Sequence, residues 1–510
     1  MTSKIMINVP LNRVEGDLDI SVEIEDGIVT DAWCSGTMYR GFEKILLGRG
    51  ALDGLVITPR ICGICSTAHL MCSALALDMI AEVEPPPDAV RVRNVSLMSE
   101  IIQSDMRHAF LMFTADFGNP IYENNTLYQE AVKRYEPFKG TAVIEVISET
   151  KKILEIVAIL GGQWPHSSFM VPGGVASMPN QDDIVKCRLL VKQYRNWYEQ
   201  IVLGCTIERW QEIKSIQDID NWLDECDAHR KSHLGFYIQY ARMIGLDKIG
   251  KGHDSFISFG SLGLPEGTSL IDKSDQGLLS PTGFIQNARI ESFDCKKISE
   301  HVAYSWFHDT EGGVYPFDGE TEPYATGYEG KKYSWSKAPR YNNLPAETGP
   351  LAEMLLSESP LFIDLMEKKG GSVFTRQLAR LTRPVELMPI MELWLSEIEP
   401  DGVFYAPHKE IVDGEGYGIT QVSRGALGHW VKVKDSKITK YQIISPTTWN
   451  LSPRDSNGIR GPAEEALIGT KIKNIDQPVE LGHIVRSFDA CLVCTVHAID
   501  NKKNKSRIQV

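Results

Sequence analysis

The chain has 510 residues, of which 43% are hydrophobic, so it can bury a large core. Its 53 basic and 67 acidic residues give a net charge of −14, which argues against nucleic acid as a main partner. No apolar run approaches the roughly 18 residues of a membrane-spanning helix, and the first residues lack the pattern of a secretory signal. We therefore expect a cytoplasmic location, with peripheral attachment to the cytoplasmic face of a membrane as a variant.

The first part of the chain predicts a hairpin followed by two helices. Residues 17–34 alternate polar and apolar side chains around Asp26-Gly27, a pattern typical of a β-hairpin. Residues 69–83 predict a buried helix that stops before three prolines, and residues 89–117 carry apolar side chains at helical spacing.

The rest of the chain predicts a helical body with small sheet elements. We expect helices over residues 148–160, 183–201, 216–225 and, with breaks, 350–381. Residues 252–346 predict loops and small sheet, and residues 430–444 a second hairpin. The predicted fold class is mainly α (α+β): one domain over residues 1–497, with a central helix bundle, small peripheral β-sheets and an active site built from both chain ends.

Two cysteine pairs lie at opposite ends of the chain. Cys62 and Cys65 form a CxxC pair near the start, and Cys491 and Cys494 form a second just before the end. Four thiolates brought together would suit a thiophilic transition metal. The other six of the ten cysteines stand singly, and we interpret them as small apolar residues rather than ligands.

A CxxC pair alone leaves several kinds of site open. Zinc knuckles, thioredoxin-like redox pairs and iron-sulfur sites all use this spacing. A zinc ribbon closes its pairs within a few tens of residues, and a redox pair of the thioredoxin type needs a βαβ context, which neither pair has. Four buried cysteines without a metal remain the alternative.

The sequence around the cysteines narrows the choice. Distinctive segments occur in the following order: residues 12–17 (NRVEGD), 39–43 (YRGFE), 58–69 (TPRICGICSTAH), 162–169 (GQWPHSSF), 424–430 (RGALGHW), 446–450 (PTTWN) and 489–497 (DACLVCTVH). Through these motifs the chain resembles the large subunit of nickel-iron hydrogenases over essentially its whole length, and most closely the cytoplasmic uptake group.

The resemblance implies a nickel-iron centre on the four paired cysteines. Cys62 and Cys491 would be terminal nickel ligands, while Cys65 and Cys494 would bridge nickel to an iron that carries cyanide and carbon monoxide. Thiolates make nickel electron-rich and able to change oxidation state. Because the ligands must lose their protons, metal binding is coupled to folding.

The resemblance also implies roles for residues around the centre. Glu15 matches the proton-relay glutamate of the family, with the Cys491 sulfur as first proton acceptor; a carboxylate that opens an exposed hairpin is the alternative. Arg424 and Thr447 match the residues that donate hydrogen bonds to the cyanide ligands of the iron in the family. Asp489 matches the acid that pairs with that arginine, and a buried Arg424–Asp489 pair could equally have a structural role. His69 resembles an imidazole that supports the metal ligands, with a satisfied core histidine as the alternative.

A second metal site is implied by the same comparison. Glu43, His497 and the backbone carbonyl of Ile443 match a Mg²⁺ site, in which carboxylate and carbonyl oxygens are the usual ligands and a histidine is less common.

Some positions depart from the family pattern. Asp17, Ser423 and Ala490 replace residues commoner in the family, and we expect them to tune the centre without abolishing it. Ser104 stands near a position where some groups carry a carboxylate, so Asp105 is a candidate substitute. His108 and His166 are further candidates for the surroundings of the metals.

The last residues resemble a propeptide. Precursors of the family end shortly beyond the CxxCxxH histidine and are cut there by a dedicated endopeptidase after maturation factors insert nickel. Residues 498–510 fit such an extension, so we expect the mature chain to end at His497.

The resemblance implies an enzyme that catalyses H2 ⇌ 2 H⁺ + 2 e⁻, mainly toward hydrogen uptake. With no further cysteine cluster in the chain, the electron relay requires an iron-sulfur small subunit, and we expect a higher oligomer of heterodimers. Three alternatives stay open: a hydrogen-sensing regulatory subunit, the large subunit of a NAD-linked bidirectional hydrogenase, and a respiratory-complex subunit without metal, against which the four cysteines argue.

Overall fold

The computed structural model of the chain describes residues 4–270, 274, 276–319, 322–327 and 329–494. The strands are β1 (Lys4–Leu11), β2 (Leu18–Glu25), β3 (Ile28–Gly36), β4 (Met170–Val171), β5 (Gly174–Val175), β6 (Ser255–Gly263), β7 (Leu278–Gln286), β8 (Arg289–Glu291), β9 (Ile298–His301), β10 (Ala338–Tyr341), β11 (Gly414–Val422), β12 (Gly425–Lys434) and β13 (Lys437–Ile444). They form small, separate antiparallel sheets: β1-β2-β3, β6-β7-β8 and β11-β12-β13, with the pairs β4-β5 and β9-β10.

Helices make up most of the remaining regular structure, and strands β6 and β12 are almost wholly buried against their neighbours. The α-helices are α1 (Phe42–Ile45), α2 (Asp53–Ile57), α3 (Ser66–Ala81), α4 (Pro87–Arg107), α5 (Tyr128–Tyr135), α6 (Thr141–Gly161), α7 (Gln181–Trp197), α8 (Ile207–Gln211), α9 (Ile216–Glu225), α10 (Asp227–Lys231), α11 (His233–Ile244), α12 (Pro350–Leu356), α13 (Pro360–Lys369), α14 (Val373–Glu397), α15 (Pro446–Asn450), α16 (Pro462–Leu467) and α17 (Val479–Ser487). Helix α4 packs against α3, α6 and α14. The predicted fold class, a mainly helical body with small sheets, is confirmed. None of the helices in the described ranges is long and apolar enough to cross a membrane.

The β2–β3 connection shows why the first hairpin forms. Asp26 and Gly27 both have positive φ angles, 49° and 80°, as a tight two-residue hairpin turn requires. The flanking residues alternate between buried and part-exposed positions along β2. Strand β1 pairs with β2 from Lys4 to Leu11, an addition that the sequence pattern did not predict.

The largest differences from the predicted helix extents are in α4 and α14. The helix expected over residues 89–117 ends at Arg107 and continues as a π-helical turn, His108–Phe113, and a 3₁₀ turn. Helix α14 passes through Pro384 and Pro389 and ends at Glu397, where an end near residue 381 was expected. A proline inside a helix costs about 3 kcal/mol. Packing of α14 against α4, α7 and α12 outweighs that local cost.

Glycines of β11 hold helix α3, which follows the first cysteine pair, against the sheet. A Cβ on Gly418 would lie 1.9 Å from the Cys72 carbonyl oxygen, and one on Gly416 would lie 2.3 Å from that of Ala76. Only glycine allows such close backbone approach between strand and helix. This packing fixes the position of α3, and therefore of Cys65 immediately before it.

Candidate metal centre

The two ends of the chain meet through their backbones. Glu15 and Cys491 form a parallel bridge, in which the Glu15 N–H donates to the Ala490 carbonyl at 3.3 Å and the Leu492 N–H donates to the Glu15 carbonyl at 2.6 Å. Gly16 allows this contact, since a Cβ there would lie 3.0 Å from both the Leu492 Cβ and the Val493 nitrogen.

Arg40 links the two cysteine segments. Its guanidinium donates to the Ile61 carbonyl, just before Cys62, and to the Val493 carbonyl at 3.2 Å, between the second pair of cysteines. It also donates to the Arg60 carbonyl at 3.1 Å. Arg40 lies in one of the motifs of the sequence, but its bridging contacts were not predicted.

Three thiols from the two pairs converge. The ligand atoms of Cys62, Cys65 and Cys491 lie within 4.8 Å of one another, and all three residues are buried. The sulfurs of Cys62 and Cys491 are 3.6 Å apart. The side chain of Cys494 lies outside the described part of the chain. Within that part, none of the six single cysteines joins a comparable group of potential ligands.

Glu100 supports the segment that carries Cys65. It is fully buried, and its carboxylate accepts the backbone N–H groups of Thr67 and Ala68, both at 2.9 Å, at the start of α3. The indole N–H of Trp164 donates to the same carboxylate at 3.1 Å. Burial, only partly opposed by these donors, raises the pKa of Glu100 to about 7. Sequence reasoning missed Glu100 because no motif marks it.

A small cavity lies beside the thiols. Its lining includes Cys65 and Cys491 together with three of the predicted site residues, His69, Arg424 and Thr447. The Thr447 hydroxyl oxygen accepts the backbone N–H of Cys491 at 3.0 Å, so this side chain also holds the second cysteine pair.

Arg424 is paired with Asp489 at the cavity wall. The Arg424 Nε donates to Asp489 Oδ1 at 3.0 Å, and both residues are buried. Burial opposes the charge of Arg424, but Asp489 and the nearby thiols raise its pKa well above the usual value. Although burial acts in the opposite direction, Arg424 and its neighbours His108 and Arg380 keep the pKa of Asp489 below its ordinary range. The guanidinium is therefore a permanent cation beside the thiols.

The residues present fit a metal group that carries hydrogen-bond acceptors. Three soft thiol ligands are the donor set that nickel and iron accept. Arg424 Nη1 is buried and has no hydrogen-bond partner among the described residues, so the N–H groups of this nitrogen on a cavity-lining cation remain to be satisfied. A buried donor of this kind is costly unless a ligand accepts from it.

Glu15 lies close to the same charges. Partial burial is the main cause that raises its pKa, and the Cys62 thiol raises it further, while Arg424 and Arg40 lower it. A carboxylate near a thiol with a raised pKa is suited to accept and release protons.

The predicted magnesium residues contain a feature that the sequence did not indicate. The buried carboxylate of Glu43 accepts the Ile443 N–H at 2.9 Å and lies 3.1 Å from the ammonium of Lys337. Lys337 also contacts Glu300 at 2.8 Å. Burial, then the charge of Glu43, raises the pKa of Glu300 to about 7, with Lys337 acting in the opposite direction. Two carboxylates around one ammonium favour a further cation here. His497 lies outside the described residues.

The remaining candidates have varied surroundings. His108 lies 3.8 Å from the Asp489 carboxylate, and burial lowers its pKa to about 3. Asp105 pairs with Arg383 through two contacts of 2.7 and 2.8 Å. The His166 ring donates to the Pro59 carbonyl at 2.8 Å, upstream of the first pair.

The fold and the thiol cluster define a metalloenzyme whose centre is assembled from both chain ends. The family model described as nickel-dependent hydrogenase matches residues 40–135 and 140–497. This chain belongs to the nickel-dependent hydrogenase family, as the catalytic nickel-iron large subunit of a hydrogenase.

Individual relatives match over nearly the whole chain. The periplasmic [NiFeSe] hydrogenase large subunit of Desulfomicrobium baculatum is 33% identical over 99% of this chain and 97% of its own length. The uptake hydrogenase large subunit of Rhodobacter capsulatus is 28% identical over 96% of this chain and 94% of its own. The reduced, active Ni-Fe-Se hydrogenase structure from Desulfomicrobium baculatum has a TM-score of 0.82 at 32% identity, covering 97% of this chain and all of that one.

These comparisons bear on four sequence-based predictions: the partner, the alternative functions, the location and the subgroup. The names of the relatives as large subunits imply a small-subunit partner, and they favour neither the sensor nor the NAD-linked alternative. The predicted cytoplasmic location is contradicted, because a relative that matches nearly the whole chain is periplasmic. That prediction relied on the pattern of the first residues and on the lack of a long apolar run, and neither determines the compartment. The assignment to the cytoplasmic uptake group is not supported.

Proposed function

We propose that this subunit oxidises hydrogen to protons and electrons and passes the electrons to an iron-sulfur small subunit. The observation that carries the proposal is the convergence of three buried thiols from both chain ends beside Arg424. Hydrogen uptake is the proposed direction, and the relatives include a large subunit named for uptake.

The proposed ligand set is the four paired cysteines. Cys62 and Cys491 would hold nickel as terminal ligands, and Cys65 and Cys494 would hold nickel and iron together. When bound, the centre supplies heterolytic cleavage of hydrogen. The chain contributes a buried, preformed position for the thiols, since Glu100, Arg40 and β11 fix the segments that carry them.

Arg424 and Thr447 would orient the non-protein ligands of the iron. The Arg424 guanidinium has an unused buried N–H, and the Thr447 hydroxyl proton is available because its oxygen serves as the acceptor for Cys491. Charge-assisted hydrogen bonds of this kind suit cyanide nitrogens, while carbon monoxide needs no donor. Asp489 would hold the guanidinium in place.

Glu15 would carry the proton away from the centre. The proposed step moves a proton from the Cys491 sulfur to the Glu15 carboxylate and then toward solvent. The backbone bridge between the two residues keeps their side chains on neighbouring segments, and the raised pKa of Glu15 favours proton uptake.

Further parts of the proposal concern assembly. Glu43, the Ile443 carbonyl and His497 would bind Mg²⁺ near the C-terminal end, and the excess of carboxylates around Lys337 supports a cation there. We propose that residues 1–497 form one domain and that an endopeptidase removes residues 498–510 after maturation factors insert nickel. The complex would be a higher oligomer of heterodimers.

Spectroscopy of the purified complex with metal analysis tests this function. We expect nickel and iron, infrared bands of cyanide and carbon monoxide, and rapid hydrogen-dependent reduction of a dye. Absence of nickel or of those bands from active, fully matured protein would overturn the assignment. An intact mass that retains Val510 in active protein would exclude the proposed cleavage.

A further inference from the structure

Two buried arginines of helix α14 contact the segments that carry Arg424 and Asp489. Arg380 and Arg383 lie about one turn apart on this helix, and both are at most 2% exposed. Each contacts the backbone just before one member of the Arg424–Asp489 pair. The two members come from distant parts of the chain, and α14 lies against both.

Arg383 holds the segment that precedes Arg424. Its guanidinium donates to the Ser423 carbonyl at 2.7 Å and to the Val422 carbonyl at 3.2 Å. The guanidinium is itself fixed by the Asp105 carboxylate, through two contacts of 2.7 and 2.8 Å. The backbone before Arg424 is therefore tied to a side chain that has little freedom to move.

Arg380 holds the segment that precedes and includes Asp489. Its Nη1 donates to the Ser487 carbonyl at 3.1 Å, and its Nε lies 3.8 Å from Asp489 Oδ2. The side-chain oxygen of Gln377, on the same helix, accepts from the same Nη1 and fixes the guanidinium. Arg380 is thus the cation beside Oδ2 of Asp489, whereas Arg424 contacts Oδ1.

The backbone conformation at Asp489 requires such support. Its φ angle is 56°, in the left-handed region that residues with side chains seldom adopt unless surrounding contacts enforce it. This conformation occurs just after α17 ends and two residues before Cys491. A change at Asp489 would therefore move both the partner of Arg424 and the start of the second cysteine pair.

We propose that Arg380 and Arg383 are positioning residues, which hold Asp489 and Arg424 so that Arg424 Nη1 stays available to the group bound in the thiol cavity. This inference rests on the proposed function, because it assumes hydrogen-bond acceptors on that group. Neither arginine lines the cavity, so both would act through Arg424. Residues in such outer positions orient the groups that contact a metal centre.

The test uses the complete complex with Arg380→Met, which keeps an unbranched side chain but removes every donor. Infrared spectroscopy reports the cyanide bands, and backbone hydrogen exchange measured by mass spectrometry reports the mobility of residues 486–492 whether or not metal is bound. Exchange there should become about 10-fold faster or more, as the loss of a hydrogen bond from a charged group allows. The cyanide bands should shift more than the carbonyl band, since carbon monoxide takes no donor.

Two further variants keep a cation in place. Arg383→Lys retains a charge for Asp105, but a single ammonium cannot reproduce the fork that reaches the carboxylate and two carbonyls. It should speed exchange in residues 422–424 and shift the cyanide bands. Arg380→Lys retains a charge beside Asp489 and should give smaller changes than Arg380→Met. It replaces that variant if the methionine protein does not assemble.

Arg93 provides the matched control. It is 3% exposed, pairs with Asp78 at 2.6 Å, and donates to the carbonyls of Val171 at 2.6 Å and Gly174 at 2.9 Å. It therefore ties a carboxylate and two carbonyls, as Arg383 does, but none of these partners lines the thiol cavity. Arg93→Met should lower the free energy of unfolding and leave both readouts unchanged.

Wild-type cyanide bands in both Arg380→Met and Arg383→Lys would overturn the inference, as would equal band shifts in Arg93→Met. Wild-type exchange rates around Asp489 in Arg380→Met and before Arg424 in Arg383→Lys would also overturn it, whether or not metal is bound. A wild-type complex without cyanide bands would count against the proposed function, and hydrogen exchange would then decide the positioning role alone.

Discussion

Glu15 and Cys491 are backbone neighbours in a parallel bridge, although one lies near the start of the chain and the other near its end. The bridge joins the proposed proton carrier to a proposed nickel ligand without involving either side chain. Substitution of the Glu15 side chain should therefore leave the junction of the two ends intact, which makes its chemistry testable in isolation.

Replacing Glu15 by Gln should block proton transfer while preserving the centre. The amide cannot take up a proton. The rate at which the enzyme exchanges hydrogen isotopes between D2 gas and water should therefore fall about 10²–10⁴-fold, the usual contribution of a general base. Nickel content and thermal stability should match the wild type. Glu15→Asp, which retains a carboxylate, is the matched control. Exchange within a few-fold of the wild type in the Gln variant would exclude this role.

Removing the charge of Arg424 should destabilise the protein through its partner. Arg424→Gln leaves the buried Asp489 carboxylate without its main cation, at a cost of about 3–5 kcal/mol in the free energy of unfolding. Asp489→Asn in the same chain should recover part of the loss, and denaturant unfolding of the four proteins gives the coupling energy. If the effects of the two substitutions are additive, the pair is not coupled.

Thr447→Val should loosen the second cysteine pair. The valine has no oxygen, so the buried N–H of Cys491 loses its acceptor, at a cost of about 1–3 kcal/mol. Nickel retention after dialysis and the unfolding midpoint should both fall. Thr447→Ser keeps the hydroxyl and should resemble the wild type. Equal behaviour of Val and Ser variants would show that the hydroxyl has no such role.

Glu100→Gln should disturb the start of α3 and hence Cys65. The carboxylate accepts from two backbone N–H groups and an indole, and an amide NH2 in its place sets a donor against a donor. We expect a loss of about 1–3 kcal/mol in unfolding free energy and lower nickel retention. Trp164→Phe removes only one of the donors and should cost less. A Gln variant as stable as the wild type would contradict this account.

His483 should make the protein sensitive to mild acid. Burial lowers the pKa of His483 from 6.5 to about 4 in the folded protein. Between these two pH values the unfolded chain therefore binds a proton at this histidine, whereas the folded chain does not. The contribution of the neutral His483 to the free energy of unfolding is therefore fully present above pH 6.5. It decreases as the pH falls toward 4, by up to about 1.4 kcal/mol per pH unit.

His483→Gln tests this dependence, because its amide can keep the bond to the Tyr122 hydroxyl, which is 3.1 Å from the histidine Nε2. Unfolding free energies measured between pH 4.5 and 7 should change less with pH in the variant than in the wild type. Parallel curves for the two proteins would rule out His483 as a source of acid sensitivity.

Local motifs carried much of the information about fold class and family. The β2–β3 turn depends on Asp26 and Gly27 alone, and the segments around Cys62 and Cys491 are short enough to recognise along the chain. The extent of helix α14 was harder to predict from the sequence, because its continuation through Pro384 and Pro389 depends on packing against distant helices. The compartment could not be derived from the chain, as the periplasmic relative shows.

By itself, the sequence determined the kind of chemistry: soft sulfur ligands in two pairs, and the motifs that identify a nickel-dependent hydrogenase. Only the tertiary structure decided how those ligands are held. Arg40 between the cysteine segments, Glu100 behind Cys65, and Lys337 between two carboxylates all join residues far apart in the chain. Such contacts leave no spacing pattern, because the groups become neighbours only when burial brings distant segments together and requires each buried polar group to find a partner.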